Sequence, residues 1–153
     1  MTGLKISYCR AVEAEACPDG IDRIEAQLGR KARKGSWVYI AKIANLNDAI
    51  WALAVVRPDL AMLFTCDCVG RALDRSNKVD ERSRRAVQYA RGYARGLVDD
   101  VTLRATYSSA AAAADAAYSA DAAAYDADAA AYEAERQWQH ARLKEYCERE
   151  TSQ

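Results

Sequence analysis

Apolar positions recur at helical spacing along most of the chain. After the turn Pro18-Asp19-Gly20, with Asp19 as a candidate N-cap, Ile21, Ile24 and Leu28 follow three and four apart. That spacing predicts a helix ending near Lys34, before Gly35. Residues 3–16 lack this rhythm and read as a short helix or an irregular lead-in, stopped by Cys17-Pro18. Ser36 is placed to cap a third helix carrying Trp37, Ile40, Ala41 and Ile43. Asn47-Asp48 opens a fourth with Ile50, Trp51, Leu53, Ala54 and Val55. Both segments are short and very apolar, so they are expected to form the core layer, with Trp37 and Trp51 as its anchors. Pro58-Asp59 starts a fifth helix over 60–73, which adds Met62, Leu63, Phe64, Cys66, Val69 and Leu73. Asp80 is placed to cap a sixth over 81–95, closed by Gly96 as its C′ residue. Ala86, Tyr89, Ala90, Tyr93 and Leu97 form its inner side, and Arg84, Arg91 and Arg95 form a basic stripe.

The pattern then changes. Residues 105–135 contain seventeen alanines in thirty-one positions, with no basic residue, proline or glycine. Alanine has the best helix propensity, and no breaker follows Gly96, so one long helix is expected over 99–148. On a wheel of about 100° per residue, Tyr107, Tyr118, Tyr125 and Tyr132 fall within about 40° of one another. Asp121, Asp128 and Glu135 flank them on one side, and Asp115, Asp126 and Glu133 on the other. The opposite face is nearly all methyl, from Ala113 through Ala131 and Ala134 to Trp138. Two arrangements fit. Either the alanine face packs on the amino-terminal half and the tyrosines cover an exposed helix, or the tyrosine and carboxylate stripe is an interaction surface. The candidate partner-binding residues are therefore Tyr118, Asp121, Tyr125, Asp128, Tyr132 and Glu135. An intramolecular version pairs the acidic frame with the Arg84, Arg91, Arg95 stripe in an antiparallel helix pair.

The expected architecture is all-α: a single helical domain over 1–153, with short helices as its core over 16–97 and a long Ala/Tyr-rich helix over 99–148. Lys and Arg total 22 and Asp and Glu total 22, so overall charge argues against direct nucleic-acid binding as the main activity. The balance hides segregation. Residues 105–135 hold six acids and no base, whereas residues 71–104 hold nine bases and five acids. The densest basic run, Arg30-Lys31-Ala32-Arg33-Lys34, complements a helix C-terminus or, less simply, binds phosphate.

Five cysteines, an odd number, with no signal peptide and no membrane-length apolar run, fit a reduced cytoplasmic setting. Cys66-x-Cys68 has poor spacing for structural zinc, so core or helix-face thiols are expected and no metal or cofactor is. A site joining Cys9, Cys17 and Cys147 stays open. His140, the single histidine, has no evident nucleophile or carboxylate beside it, and no glycine-rich phosphate loop occurs. No enzyme is expected.

Several motifs together resemble a family of alanine-rich phage and prophage proteins, some of which are named as immunity proteins. They are Ala16-Cys17-x-x-Gly20 before a helix, Gly35-Ser36-Trp37, Cys66-Asp67-Cys68 leading into Arg71-Ala72-Leu73, and Asp80-x-Arg82-x-Arg84-Arg85-Ala86. An Ala/Tyr/Asp-rich helix ending near Trp138 and Leu143-Lys144-Glu145-Tyr146 completes the set. The resemblance implies a small helical inhibitor from a mobile element. It brings no catalytic residues.

The leading expectation is a non-enzymatic protein that binds a bacterial defence or toxin protein, as an anti-CRISPR or other anti-defence factor or as an immunity protein. Its acidic, tyrosine-bearing helix face would block a basic nucleic-acid-binding surface. The alternatives are a self-assembling helical protein, such as a homodimer, and a nucleic-acid-binding protein using the basic stripes. No membrane association is expected.

Overall fold

A computed structural model describes residues 3–28, 36–75, 81–99, 102 and 129–149. The fold is all-α, apart from two strands of three residues each. The helices expected after Pro18, from Asn47-Asp48, over 60–73 and over 81–95 are present, as Pro18–Leu28, Leu46–Val56, Pro58–Arg75 and Glu81–Ala94, and Ala129–Arg149 is helical within the span expected as one long helix over 99–148. The segment expected as a third helix is not helical in that way.

β1 (Lys5–Ser7) pairs antiparallel with β2 (Trp37–Tyr39), matching Lys5 with Tyr39, Ile6 with Val38 and Ser7 with Trp37. Ile40–Lys42 follows as a single 3-10 turn. The reason lies in the period. Trp37-Val38-Tyr39 alternates exposed, buried and half-buried, its residues favour strands, and Lys5-Ile6-Ser7 supplies the complementary ladder. A four-residue apolar spacing at 37, 40, 41 and 43 mimics a helix, but the long-range strand pairing prevails.

Local signals set most helix ends. Ser7 caps α1 (Tyr8–Glu13), its Oγ accepting the Arg10 N–H at 3.1 Å. The helix closes with Ala16 N–H donating to Ala11 O at 3.1 Å and Glu15 N–H to Val12 O at 3.0 Å. This places Glu15 at φ 58°, the left-handed position where glycine is usual. α2 (Pro18–Leu28) and α4 (Pro58–Arg75) each begin on a proline, whose fixed φ suits the first turn and whose missing N–H costs nothing there. Asn45, rather than Asn47 or Asp48, caps α3 (Leu46–Val56): its Oδ1 accepts from Asn47 N–H at 2.9 Å and Asp48 N–H at 3.2 Å. α5 (Glu81–Ala94) ends at Gly96, φ 70°, with Gly96 N–H donating to Tyr93 O and Leu97 N–H to Gly92 O, both at 2.8 Å. The chain then folds back so closely that a Cβ on Gly92 would lie 2.7 Å from Val98 Cγ2. Asp99 Oδ1 accepts from Thr102 N–H at 2.7 Å, the bond that an N-cap side chain makes. α6 (Ala129–Arg149) falls within the span expected as the long helix. The expected helix's course over 103–128 lies outside the described residues, as do the Asp80 cap and the end of α2 near Lys34.

The chain gathers into two compact units, Met1–Ala61 with His140–Gln153, and Met62–Gln139. In the first, Ile6 and Val38 turn the sheet's inner face toward a core containing Ile40, Leu46, Leu53, Leu143 and Cys147. Leu4 links its parts by donating to Cys147 O at 3.1 Å and accepting from Ile40 N–H at 3.0 Å. α2 is tied in by Arg23, which donates to both Asp48 oxygens at 2.6 and 2.9 Å, and by Gln27, which donates to Lys42 O at 2.9 Å. In the second unit Phe64, Cys66 and Leu73 of α4 and Ser83 and Ala86 of α5 are buried. At roughly 2 to 3 kcal/mol for a fully buried Phe, Phe64 is the largest buried apolar side chain among the described residues there.

Candidate functional site

Among the described residues, the acidic face expected for the long helix meets α4 at Glu135. Glu135 Oε2 accepts from Arg71 Nε at 2.9 Å and lies 2.7 Å from an Arg75 Nη, while Oε1 accepts from Gln139 Nε2 at 3.2 Å. The spacing makes this possible. Arg71 and Arg75 are four apart on α4, and Glu135 and Gln139 four apart on α6, so each pair shares a helix face. The Arg71 guanidinium also lies over the Trp138 ring, 4.5 Å from its centroid. The Glu135 side chain is 13 % exposed. Burial pushes its carboxyl upward, but the hydrogen bonds from Arg71 and Gln139 and the charges of Arg75 and Arg71 outweigh this and hold it below the usual glutamate range.

One turn earlier the surroundings differ. Ala131, Tyr132, Glu133 and Ala134 are all exposed, Tyr132 at 39 %. The methyl face expected to pack against the amino-terminal half is thus open to solvent at Ala131 and Ala134. Of the six residues assigned to partner binding, Tyr132 is on the surface and Glu135 is clamped by two arginines. Tyr118, Asp121, Tyr125 and Asp128 lie outside the described residues.

Among the described residues, Arg84 of the basic stripe donates to Asp74 at 3.0 Å and Arg91 to Asp67 at 2.8 Å, both α4 acids, and Arg91 also approaches Cys66 O at 3.4 Å. The expected pairing of this stripe with Asp115, Asp121, Asp126 and Asp128 lies outside the described residues, and Glu135 meets arginines of α4. Arg95 is exposed, and Arg30, Lys31, Arg33 and Lys34 lie outside the described residues.

All five cysteines are free thiols: Cys9 and Cys17 exposed, Cys68 half-buried, Cys66 and Cys147 buried. Burial pushes the Cys66 thiol up, and pushes Cys147 up to about 11. Among the described residues no group of three or more His, Cys, Asp or Glu is arranged to hold a metal ion. His140 is half-buried. Among those residues, too, no helix is long and apolar enough to cross a membrane.

Trp37, expected as a core anchor, is instead 60 % exposed, because β2 turns it to the outer face of the sheet; Trp51 is half-buried. The signal was the three-residue alternation Trp37-Val38-Tyr39, too short to stand against helical spacing without its partner strand.

No protein-family model, curated protein or solved structure matches the chain.

Proposed function

We propose that this is a non-enzymatic, cytoplasmic protein that binds and blocks another protein in conflict between phages and bacteria. The observation that carries the reading is the contrast along α6. Glu135 is fixed by Arg71, Arg75 and Gln139, while the turn before it exposes Tyr132 beside Glu133. An anchored helix presents an aromatic side chain at low entropic cost, because its backbone is ordered before binding. In sequence the same tyrosine and carboxylate pattern recurs at Tyr118, Asp121, Tyr125 and Asp128. The partner this surface suits is a basic one, such as the nucleic-acid channel of a defence nuclease, a CRISPR subunit or a toxin. The resemblance to phage and prophage proteins favours that setting over general housekeeping.

The test is a pull-down from bacterial lysate with wild type and with a Tyr132→Ala, Glu133→Lys, Asp121→Lys, Asp128→Lys variant. Glu135 is left intact because its replacement would loosen α6 itself. Recovery of one defence or toxin protein by wild type alone, with equal helix content in both, is the expected result. Equal recovery by the variant would refute the assigned surface. Recovery of the protein itself and nothing else would favour self-assembly.

A further inference from the structure

The two-stranded sheet has an inner face, where Ile6 and Val38 are buried, and an outer face formed by the pairs Lys5 with Tyr39 and Ser7 with Trp37. On the outer face Trp37 is 60 % exposed, an unusual setting for the largest aromatic side chain. Beside it the Tyr39 ring carries two cations. Lys5 Nζ lies 4.5 Å from the ring centroid and Lys42 Nζ 5.7 Å, so the two ammonium groups are no more than about 10 Å apart. A flat, open indole next to paired cations matches a ligand that alternates π-faces with negative charge.

We propose that this outer face binds single-stranded nucleic acid, with a base stacked on Trp37 and backbone phosphates held by Lys5 and Lys42. Stacking of this kind tolerates any base, because every base has a π-face, and it suits a chain whose overall charge is balanced but whose cations are local. An acidic peptide would engage the lysines but would leave the indole uncovered. A duplex hides its bases and offers Trp37 no face. The surface belongs to the first unit and to residues that the protein-binding reading does not use.

The test uses the full chain and a labelled twelve-residue oligothymidylate, followed by fluorescence anisotropy at 50 and 200 mM NaCl. Two phosphate contacts on a single strand predict that affinity falls about sevenfold between those salts. Trp37→Ala should weaken binding by about tenfold or more, and Trp37→Phe by much less, since a phenyl ring still stacks. Lys5→Glu with Lys42→Glu should abolish binding in 50 mM NaCl. Trp37→Ala keeps the strand pairing, which uses the backbone, and circular dichroism checks that it folds. The proposal is overturned by no binding at 50 mM NaCl, or by duplex binding as tight as single-strand binding. It is equally overturned by displacement by an oligoglutamate of the same charge as effective as by unlabelled oligothymidylate, or by a Trp37→Ala variant that binds like wild type.

Discussion

Replacing Glu135 with Gln keeps the side chain's shape and removes its charge, leaving Arg71 and Arg75 facing a neutral amide. Exposed ion pairs contribute about 0 to 1 kcal/mol, and hydrogen bonds to charged groups in part-buried sites about 1.5 to 3. Glu135 is 13 % exposed while Arg71 and Arg75 are 37 % and 47 % exposed, so solvent screens one side of each pair. The expected loss is therefore about 1.5 to 2.5 kcal/mol at pH 7. For a chain of this size that lowers Tm by about 3 to 10 °C. The pH dependence supplies an independent check. Glu135's carboxyl lies below its usual value in the folded protein, so its contribution is complete above the unfolded value, about 4.3, and is lost as pH falls through the folded one. The gap between wild type and Glu135→Gln should stay constant from pH 7 to 5.5 and narrow progressively as pH falls below the unfolded value. Urea unfolding followed by far-UV circular dichroism and by the Trp138 fluorescence of a Trp37→Phe, Trp51→Phe background measures it. A loss under 0.5 kcal/mol at pH 7, or a gap unchanged at pH 3.5, would refute the assignment of Glu135 as the clamp of α6.

Other parts of the fold make shorter claims. Glu15→Gly should raise stability by about 0.5 to 1 kcal/mol, since it relieves a left-handed backbone at φ 58° and loses only some chain entropy; denaturant midpoints decide it. Phe64→Ala should cost about 3 to 5 kcal/mol, whereas Val12→Ala, at an exposed position, should cost under about 0.5 kcal/mol. In a native thiol titration at pH 8, Cys9 and Cys17 should react within seconds to minutes. Cys66 and Cys147 should need denaturant, because burial hides them and disfavours their thiolates.

The helices were legible because their signals are local. Pro18 and Pro58 open helices, Gly96 closes one, and the spacing of Leu60, Phe64 and Leu73 gives a buried face with no knowledge of what covers it. The strand pair was not legible, since Lys5-Ile6-Ser7 and Trp37-Val38-Tyr39 are each too short to show a period and become strands only by finding each other across thirty residues of sequence. The same gap hid Trp37's exposure. The acidic frame shows a related limit. A wheel places Tyr132 and Glu135 on neighbouring parts of one helix face, yet it cannot say that α4 carries Arg71 and Arg75 where Glu135 arrives. That pairing is tertiary, and it separates a clamp residue from a surface residue only three positions apart.

The proposed function requires that the anchored turn around Tyr132 face another protein. The most direct measurement replaces Tyr132 with a photo-crosslinking phenylalanine analogue, irradiates living bacteria that express the protein, and identifies adducts by mass, with the analogue at exposed Arg82 as the control. One dominant adduct to a different protein from position 132, and none from position 82, is the expected result. The absence of any adduct at position 132, or an adduct only to a second copy of the chain, would contradict it.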